Sequence, residues 1–120
     1  MNSIVKELHG KLVVGLEGME PGSEEVTFTL DDGTKVRLLH HQDCCEHVQL
    51  EDVVGDPEDL VGEVLLIAEE RVSEDEGDWG YGQTWTFYTF RTHKGAVDLR
   101  WVGESNGYYS ERVDIEVVKP

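Results

Sequence analysis

The sequence predicts a mainly β protein: a single antiparallel β-rich domain, a small barrel or sandwich, with at most one or two short helices. Apolar and polar residues alternate with a period of two along several segments, as in half-buried strands. Short turn motifs rich in Asp, Asn and Gly separate these segments. A chain of 120 residues is also the usual size of one domain, so residues 1–120 are predicted to fold as a unit.

The clearest predicted element is a β-hairpin that turns at Asp32 and Gly33. Apolar residues alternate with polar ones before the turn, over residues 25–30, and again after it, over residues 35–38. Two alternating runs joined by Asp-Gly are a strong hairpin signal.

Further strands are predicted at residues 12–16, 46–50, 63–70, 84–91, 96–102 and 112–117. The continuous apolar run in residues 63–70 is typical of a central strand. In the aromatic segment the large side chains change face between Phe87 and Tyr88, which indicates either two covered faces or a β-bulge. The residues expected in the core are Val26, Phe28, Leu30, Val36, Leu38, Leu66, Leu99, Trp101, Val113 and Ile115.

Helix is scarce in this sequence. Asp56 and Pro57 have the residue types of an N-cap and a first helical position, and Gly62 ends that short helix. Residues 3–8 are predicted to form a short amphipathic turn. Loops are predicted at residues 18–23, 73–82 and 104–110.

Acidic charge is concentrated in one part of the chain. The formal net charge is −16, and residues 51–80 contain twelve acidic residues against one basic residue, Arg71. Direct binding to nucleic acid or to an anionic membrane needs a basic surface, which this composition disfavours. A cation or a basic protein remains a possible partner, and the alternative is an acidic surface that only interacts with water.

The sequence also points to a cytoplasmic protein. It has no apolar run long enough to span a membrane, and its first residues lack the features of a secretory signal. Its two cysteines, Cys44 and Cys45, are neighbours and do not form the spaced framework of a secreted disulfide protein. We therefore expect two reduced thiols on opposite faces of a strand.

Residues 40–47 combine histidine, cysteine and carboxylate side chains and are the candidate metal site. Alternation in the flanking strands directs His40, Cys44 and Glu46 inward, and zinc accepts such ligands. If an ion binds, we expect Cys44 and His40 as ligands on one face, with Glu46 or a residue from another strand completing the shell. The alternative is a turn, capped by Asp43, with buried polar groups. A cysteine nucleophile is disfavoured because the surrounding carboxylates raise a thiol pKa.

Four motifs of the chain are distinctive. They are Gln42-Asp43-Cys44-Cys45-Glu46, Ala68-Glu69-Glu70, Thr84-Trp85-Thr86-Phe87-Tyr88 and Gly103-Glu104-Ser105-Asn106-Gly107-Tyr108-Tyr109-Ser110-Glu111. Together they resemble a family of small uncharacterised proteins found in bacteriophages, chiefly those of actinobacteria, and in their hosts. The similarity covers roughly residues 18–117, and the family has no assigned activity. The resemblance therefore implies a phage origin and a cytoplasmic setting in the host, and it provides no catalytic residue.

Aromatic residues in two predicted loops are candidate contacts for a partner. Tyr108 and Tyr109 follow an Asn-Gly turn, where they either close the end of the sheet or contact another protein. Trp79 and Tyr81 lie in an acidic, glycine-rich segment, where an exposed Trp is a natural anchor for a partner. The alternative is that Trp79 folds back over the sheet.

The sequence supports three functional hypotheses. The first is a non-enzymatic acidic protein that engages a basic host protein, for example a nucleic-acid-binding one, as an inhibitor or modulator. The second is a zinc-binding domain centred on residues 40–47, and the third is a small hydrolase-type enzyme. No catalytic residue or required cofactor is predicted, and the oligomeric state is left open. The predicted partner-binding residues are Glu74, Asp75, Glu76, Asp78, Trp79, Tyr81, Tyr108 and Tyr109.

Overall fold

The computed structural model describes residues 3–42, 45–76, 82–105 and 110–120, with the backbone but not the side chains of Asp75 and Glu76. These residues form ten β-strands and one 3-10 helix. The strands are β1 (Ser3–Ile4), β2 (Leu12–Glu17), β3 (Glu25–Leu30), β4 (Lys35–Leu39), β5 (His47–Val54), β6 (Glu63–Val64), β7 (Ile67–Glu76), β8 (Gly82–Arg91), β9 (Ala96–Ser105) and β10 (Asp114–Val118), and the 3-10 helix η1 is Pro57–Leu60.

The strands form two antiparallel sheets, which confirms the predicted mainly β fold. Sheet A has the order β1-β7-β8-β9-β5, and sheet B has the order β10-β4-β3-β2-β6. The core lies between them, where the rings of Phe28 in sheet B and Phe90 in sheet A meet edge to face with centroids 5.0 Å apart. The architecture is therefore the sandwich form of the prediction.

The hairpin between β3 and β4 forms as predicted. The N–H of Leu30 donates to the carbonyl of Thr34 over 2.8 Å. At the turn Gly33 has a φ of 87°, a value that favours glycine, and the Asp32 side chain accepts from the N–H of Thr34 over 2.9 Å.

Most of the predicted core is buried. Val26, Phe28, Val36, Leu38 and Trp101 are fully inaccessible to solvent. Leu30, Leu99 and Val113 are also buried, and Ile115 is half-buried against the core. The exception is Leu66, which is 43% exposed, so its prediction as a core residue is wrong.

The predicted strand at residues 63–70 is in fact a corner between the sheets. β6 pairs with β2 in sheet B, whereas β7 pairs with β8 in sheet A. Leu65 donates its N–H to the carbonyl of Lys11, and Leu66 donates to that of Arg91. The apolar run is continuous because Leu65 and Ala68 enter the core on the two sides of this corner. It does not form one central strand.

Several strands extend further than predicted, and the loops between them are shorter. The β7–β8 ladder continues to the pair Glu76↔Gly82, so residues 73–76 lie on a strand where a loop was predicted. β9 likewise continues to Ser105. These strand ends are polar, and Ser73 and Glu74 are exposed, so no apolar alternation marks them in the sequence.

The aromatic strand β8 has two covered faces. Thr84, Thr86, Tyr88 and Phe90 are buried on the inner face. On the outer face the Arg71 guanidinium carbon lies 4.5 Å from the ring centroid of Phe87, and that of Arg100 lies 5.5 Å from Trp85. The ladders on both sides of β8 keep one register throughout, so the change of face in the aromatics reflects these cation–π contacts and not a bulge.

The short helix begins as the sequence predicts. The Asp56 side chain accepts from the N–H of Glu58 over 3.0 Å, and Pro57 is the first helical residue. At the N-terminus, β1 replaces the first part of the turn predicted for residues 3–8.

In the part of the chain that the structure describes, no helix is long and apolar enough to cross a membrane.

Candidate functional site

One end of the sandwich holds a buried pair between a histidine and a carboxylate. His40 follows β4 of sheet B, and Glu46 precedes β5 of sheet A. Nε2 of His40 lies 2.9 Å from Oε2 of Glu46, and Nδ1 lies 2.8 Å from the carbonyl oxygen of Arg112. The two side chains are only 4% and 1% exposed. The inward direction predicted for His40 and Glu46 is therefore what the structure shows.

The surroundings of His40 favour its protonated form. Burial of the ring lowers the pKa of His40, but the hydrogen bonds to Glu46 and Arg112 and the negative charges of Glu46 and Asp114 outweigh burial, so the pKa lies above its ordinary value. A backbone carbonyl only accepts hydrogen bonds, so Nδ1 carries a proton, and a carboxylate accepts from a second proton on Nε2. The pair is best described as an imidazolium and a carboxylate.

A second buried carboxylate lies in the segment that follows β9. Glu111 is 9% exposed, and Oε1 accepts a hydrogen bond from the hydroxyl of Thr84 over 2.8 Å. Oε2 accepts from the hydroxyl of Ser105. Gly82 and Gly103 leave the space that Glu111 occupies, because a Cβ on either glycine would collide with it. Residues 110–113 thus bind sheet A through Glu111 and the end of sheet B through the carbonyl of Arg112.

Residues from different sequence motifs meet in these contacts. Thr84 and Glu111 come from two of the four motifs that resemble the phage family, and they hydrogen-bond to each other. Tyr88 comes from the same motif as Thr84, and its hydroxyl donates over 2.6 Å to Oε2 of Glu70, which comes from a third motif. Burial, together with the neighbouring Glu70, raises the pKa of Tyr88, so its hydroxyl stays protonated. These motif residues therefore hold strands together.

A shallow cleft of about 380 Å³ opens beside the histidine pair. It is lined by His40, His41, Gln42, Glu46, Ser110 and Asp114. The ring of His40 forms part of its wall but directs both nitrogens to protein acceptors. A ligand in the cleft would therefore meet the imidazolium charge without a free ring nitrogen to coordinate it.

The described residues include two of the three predicted zinc ligands. The structure brings His40 and Glu46 together, whereas Cys44 lies outside the described residues. Among the residues that are described, no group of three or more His, Cys, Asp or Glu side chains is placed to hold a metal ion. Zinc binding therefore stays a prediction.

The prediction of reduced thiols is wrong for Cys45. This residue is exposed and disulfide-bonded. The spacing argument, which considered only bridges between distant segments, therefore failed for this residue. A cysteine in a disulfide has no thiolate, so in this form Cys45 is neither a nucleophile nor a thiolate ligand.

The folded chain disperses the acidic segment of residues 51–80. Glu51 lies at the other edge of sheet A, where it accepts from Arg100 over 3.0 Å. Asp56 caps η1, and Glu70 accepts from Tyr88. Three acids, Glu74, Asp75 and Glu76, are consecutive at the end of β7, and Glu74 is exposed.

The other predicted partner-binding residues cannot be placed. Asp78, Trp79, Tyr81, Tyr108 and Tyr109 all lie outside the described residues.

The sequence reasoning missed the Glu111 cluster. A signal was present in β8, because Thr84 shares the inward face with Tyr88 and Phe90. A polar residue on a buried face needs a hydrogen-bond partner, so Thr84 required an acceptor from elsewhere in the chain. Nothing in the irregular segment after Ser110 identified Glu111 as that acceptor.

Comparison with known families gives one finding. Residues 6–115 match the model of a domain of unknown function, DUF7448, and the chain therefore belongs to that family. No match was found among curated proteins or among solved structures.

Proposed function

We propose that this member of the DUF7448 family is a non-enzymatic acidic binding protein that engages a basic host protein as an inhibitor or modulator. The observation that supports this function best is the position of Glu74, Asp75 and Glu76. They are consecutive on β7, which is paired with β8 along its whole length. Pairing with β8 fixes the backbone positions of these three residues, and carboxylates are anionic groups that can stand in for the phosphates that a nucleic-acid-binding protein recognises.

Several acids of the domain are neutralised by neighbouring arginines. Arg37 binds both Glu25 and Glu116, and Arg100 binds Glu51. No described residue forms an ion pair or hydrogen bond with the Glu74 side chain. Because its charge is not neutralised within the described part of the domain, Glu74 is available to a cationic partner.

The next residues in the sequence extend the proposed surface. Asp78 adds a further acid, and Trp79 and Tyr81 are large aromatic residues of the kind that anchor protein interfaces. We propose them as the apolar part of the contact, with Tyr108 and Tyr109 as further contact residues. The charged rim governs the rate of association, and the aromatic anchors govern dissociation.

We propose a bacteriophage origin and a cytoplasmic location in the host cell. The support is the similarity of the four quoted motifs to proteins of phages, chiefly those of actinobacteria. An acidic phage protein with a basic host target fits this setting, because nucleic-acid-binding enzymes carry basic grooves.

The test is affinity capture from a host lysate followed by mass spectrometry. We expect a basic protein to be retained at low salt and lost as ionic strength rises past about 0.15 M, where the Debye length is about 8 Å. Reversal of Glu74, Asp75, Glu76 and Asp78 to lysine should abolish capture by slowing association. The matched control reverses four exposed acids in or near sheet B, Glu17, Glu20, Glu24 and Asp31, and gives the same net charge. Equal capture by both variants would show that the position of the charge does not matter, and the proposal would be rejected.

The second candidate function is zinc binding, with His40 and Glu46 as the described candidate ligands; Nε2 of His40 would have to give up its proton and its hydrogen bond to Glu46 to bind the ion. Elemental analysis of protein purified without a histidine tag tests it. About one equivalent of zinc that is lost in the variant His40→Asn would establish the site. Metal far below one equivalent, with the same unfolding curve in chelator, would exclude it.

A further inference from the structure

The edge of sheet A at β7 is only partly covered. β1 pairs with β7 at two positions, Ser3↔Glu70 and Ile4↔Glu69, and Val5 adds a hydrogen bond to the carbonyl of Ala68. Beyond Glu70, none of the described residues pairs with the outer edge of β7. Within the described part of the chain, the six strand residues from Arg71 to Glu76 therefore have a partner strand on one side only.

The hydrogen-bonding groups on this open edge can be identified. The carbonyl of Ala68 faces the β1 side, because it accepts from the N–H of Val5 over 2.8 Å. In an antiparallel strand the N–H and C=O of one residue point to the same side, and successive residues alternate. Val72, Glu74 and Glu76 therefore direct both groups to the open edge, whereas Arg71, Ser73 and Asp75 direct theirs to β8.

Other sheet edges of the domain are less suited to receive a strand. At β5, the backbone of Leu50 already exchanges hydrogen bonds with Gly22 and Ser23, at 2.7 and 2.8 Å. At β10, the carboxylate of Glu116 is bound to Arg37 over 2.6 Å. The open part of β7 has backbone groups that no described strand pairs with, and it includes Glu74, whose side chain no described residue neutralises.

We propose that the open edge of β7, residues 71–76, receives an extended basic segment of a partner protein as an additional strand of sheet A. This inference rests on the proposed function and specifies how its partner binds. Backbone hydrogen bonds provide the affinity in such strand addition, and side chains beside the strand provide specificity. Glu74, Asp75 and Glu76 select a cationic segment. They also oppose pairing with a second copy of the chain, since that would place acidic edges side by side.

The inference is tested with the intact protein and a short capped peptide of alternating lysine and threonine. Its control is the corresponding glutamate–threonine peptide. Amide-resolved hydrogen exchange by NMR should show a specific pattern when the basic peptide binds. The amides of Val72, Glu74 and Glu76 should exchange at least about tenfold more slowly, whereas those of Arg71, Ser73 and Asp75, already bonded to β8, should change little.

A pair of variants tests the same point without changing charge. Val72→Pro removes one outward N–H and no hydrogen bond to β8, and proline is tolerated on strand edges. It should weaken peptide binding by about tenfold, as expected for one lost hydrogen bond. Val72→Thr keeps the N–H and should bind within about twofold of the original chain. The exchange experiment uses the unchanged chain, so the test stands even if Val72→Pro fails to fold.

The outcomes separate this inference from the proposed function. Alternating protection, together with weaker binding by Val72→Pro, would establish strand addition. Strand addition would be refuted if the peptide bound in a salt-sensitive way without alternating protection, and with the same affinity for Val72→Pro and Val72→Thr. That result would leave the acidic binding function intact. Absence of peptide binding at low salt would also refute strand addition, while capture from lysate would still decide the proposed function independently.

Discussion

His40 donates from Nε2 to Oε2 of Glu46 over 2.9 Å, and this contact joins the end of β4 in sheet B to the start of β5 in sheet A. The second ring nitrogen donates to Arg112 in the segment before β10. One protonated imidazole therefore connects three separate parts of the chain. Because it has to carry both protons to do so, the contact depends on pH.

We expect His40 to stabilise the fold more in mild acid than in mild base. Its pKa is raised in the folded state above the unfolded value of about 6.5, so its contribution is complete below that pH and is lost as pH rises through the folded pKa. The variant His40→Asn should therefore lose more stability, relative to the original chain, at about pH 5.5 than at about pH 8.5. Urea unfolding at both pH values measures the difference.

The control for this experiment is His93→Asn, which changes an exposed histidine in the turn after β8. Its effect on stability should be small at both pH values. A destabilisation by His40→Asn that is the same at both pH values would contradict the imidazolium assignment.

The corner between the sheets predicts opposite results for two leucines. Leu99 is 1% exposed in β9, so Leu99→Ala should reduce the free energy of unfolding by about 2–5 kcal/mol. Leu66 is 43% exposed, so Leu66→Ala should change it by less than about 0.5 kcal/mol. Chemical denaturation of the two variants measures both values. A large loss of unfolding free energy in Leu66→Ala would contradict the corner and support the continuous central strand predicted from the sequence.

Gly103 lies so close to Glu111 that we expect position 103 to accept no side chain. A Cβ on Gly103 would lie 2.8 Å from that of Glu111 and closer still to its backbone oxygen. Gly103→Ala should therefore destabilise the fold by about 1–3 kcal/mol through overpacking. Gly15→Ala is the control, because its Cβ would lie 3.3 Å from Cβ of Thr29, which needs only a small shift. In thermal unfolding, the midpoint temperature of Gly103→Ala should be well below that of Gly15→Ala. The reverse order would contradict the packing described for Glu111.

The buried carboxylate of Glu111 predicts different effects for its two simplest replacements. Glu111→Ala leaves the hydroxyls of Thr84 and Ser105 without their acceptor and should cost about 1–3 kcal/mol. Glu111→Gln should cost less, because the amide accepts from one hydroxyl and donates to the other. Unfolding in urea gives both values, and a smaller loss for Ala than for Gln would show that the hydroxyls have other partners.

The sequence predicted the parts of the fold in which local pattern and tertiary environment agree. Residues 25–38 alternate and carry an Asp-Gly turn, and both signals lead to the hairpin that forms. Residues 63–70 misled the prediction because an apolar run looks the same whether it crosses one sheet or turns between two. The distinction lies in hydrogen bonds from Leu65 and Leu66 to distant segments, which no local pattern records.

The same limit applies to the candidate site. The inward direction of His40 and Glu46 followed from alternation in β4 and β5, so this pair was predictable from the strands that flank it. The Arg112 carbonyl and the Glu111 carboxylate reach their partners from an irregular segment, where side-chain direction has no period. Dispersal of the acidic residues was equally hidden, because their neighbours in space come from other strands.

The corner at Leu65 and Leu66 has a consequence for fragments of this chain. Division after Val61 would give one piece with β1 and β5 of sheet A together with β2, β3 and β4 of sheet B. The other piece would contain β7, β8 and β9 of sheet A together with β6 and β10 of sheet B. Since each piece contributes strands to both layers, neither contains a complete sheet. Two such fragments should each remain unstructured alone and regain the native fold only when mixed, which makes the domain a natural candidate for a split-protein reporter.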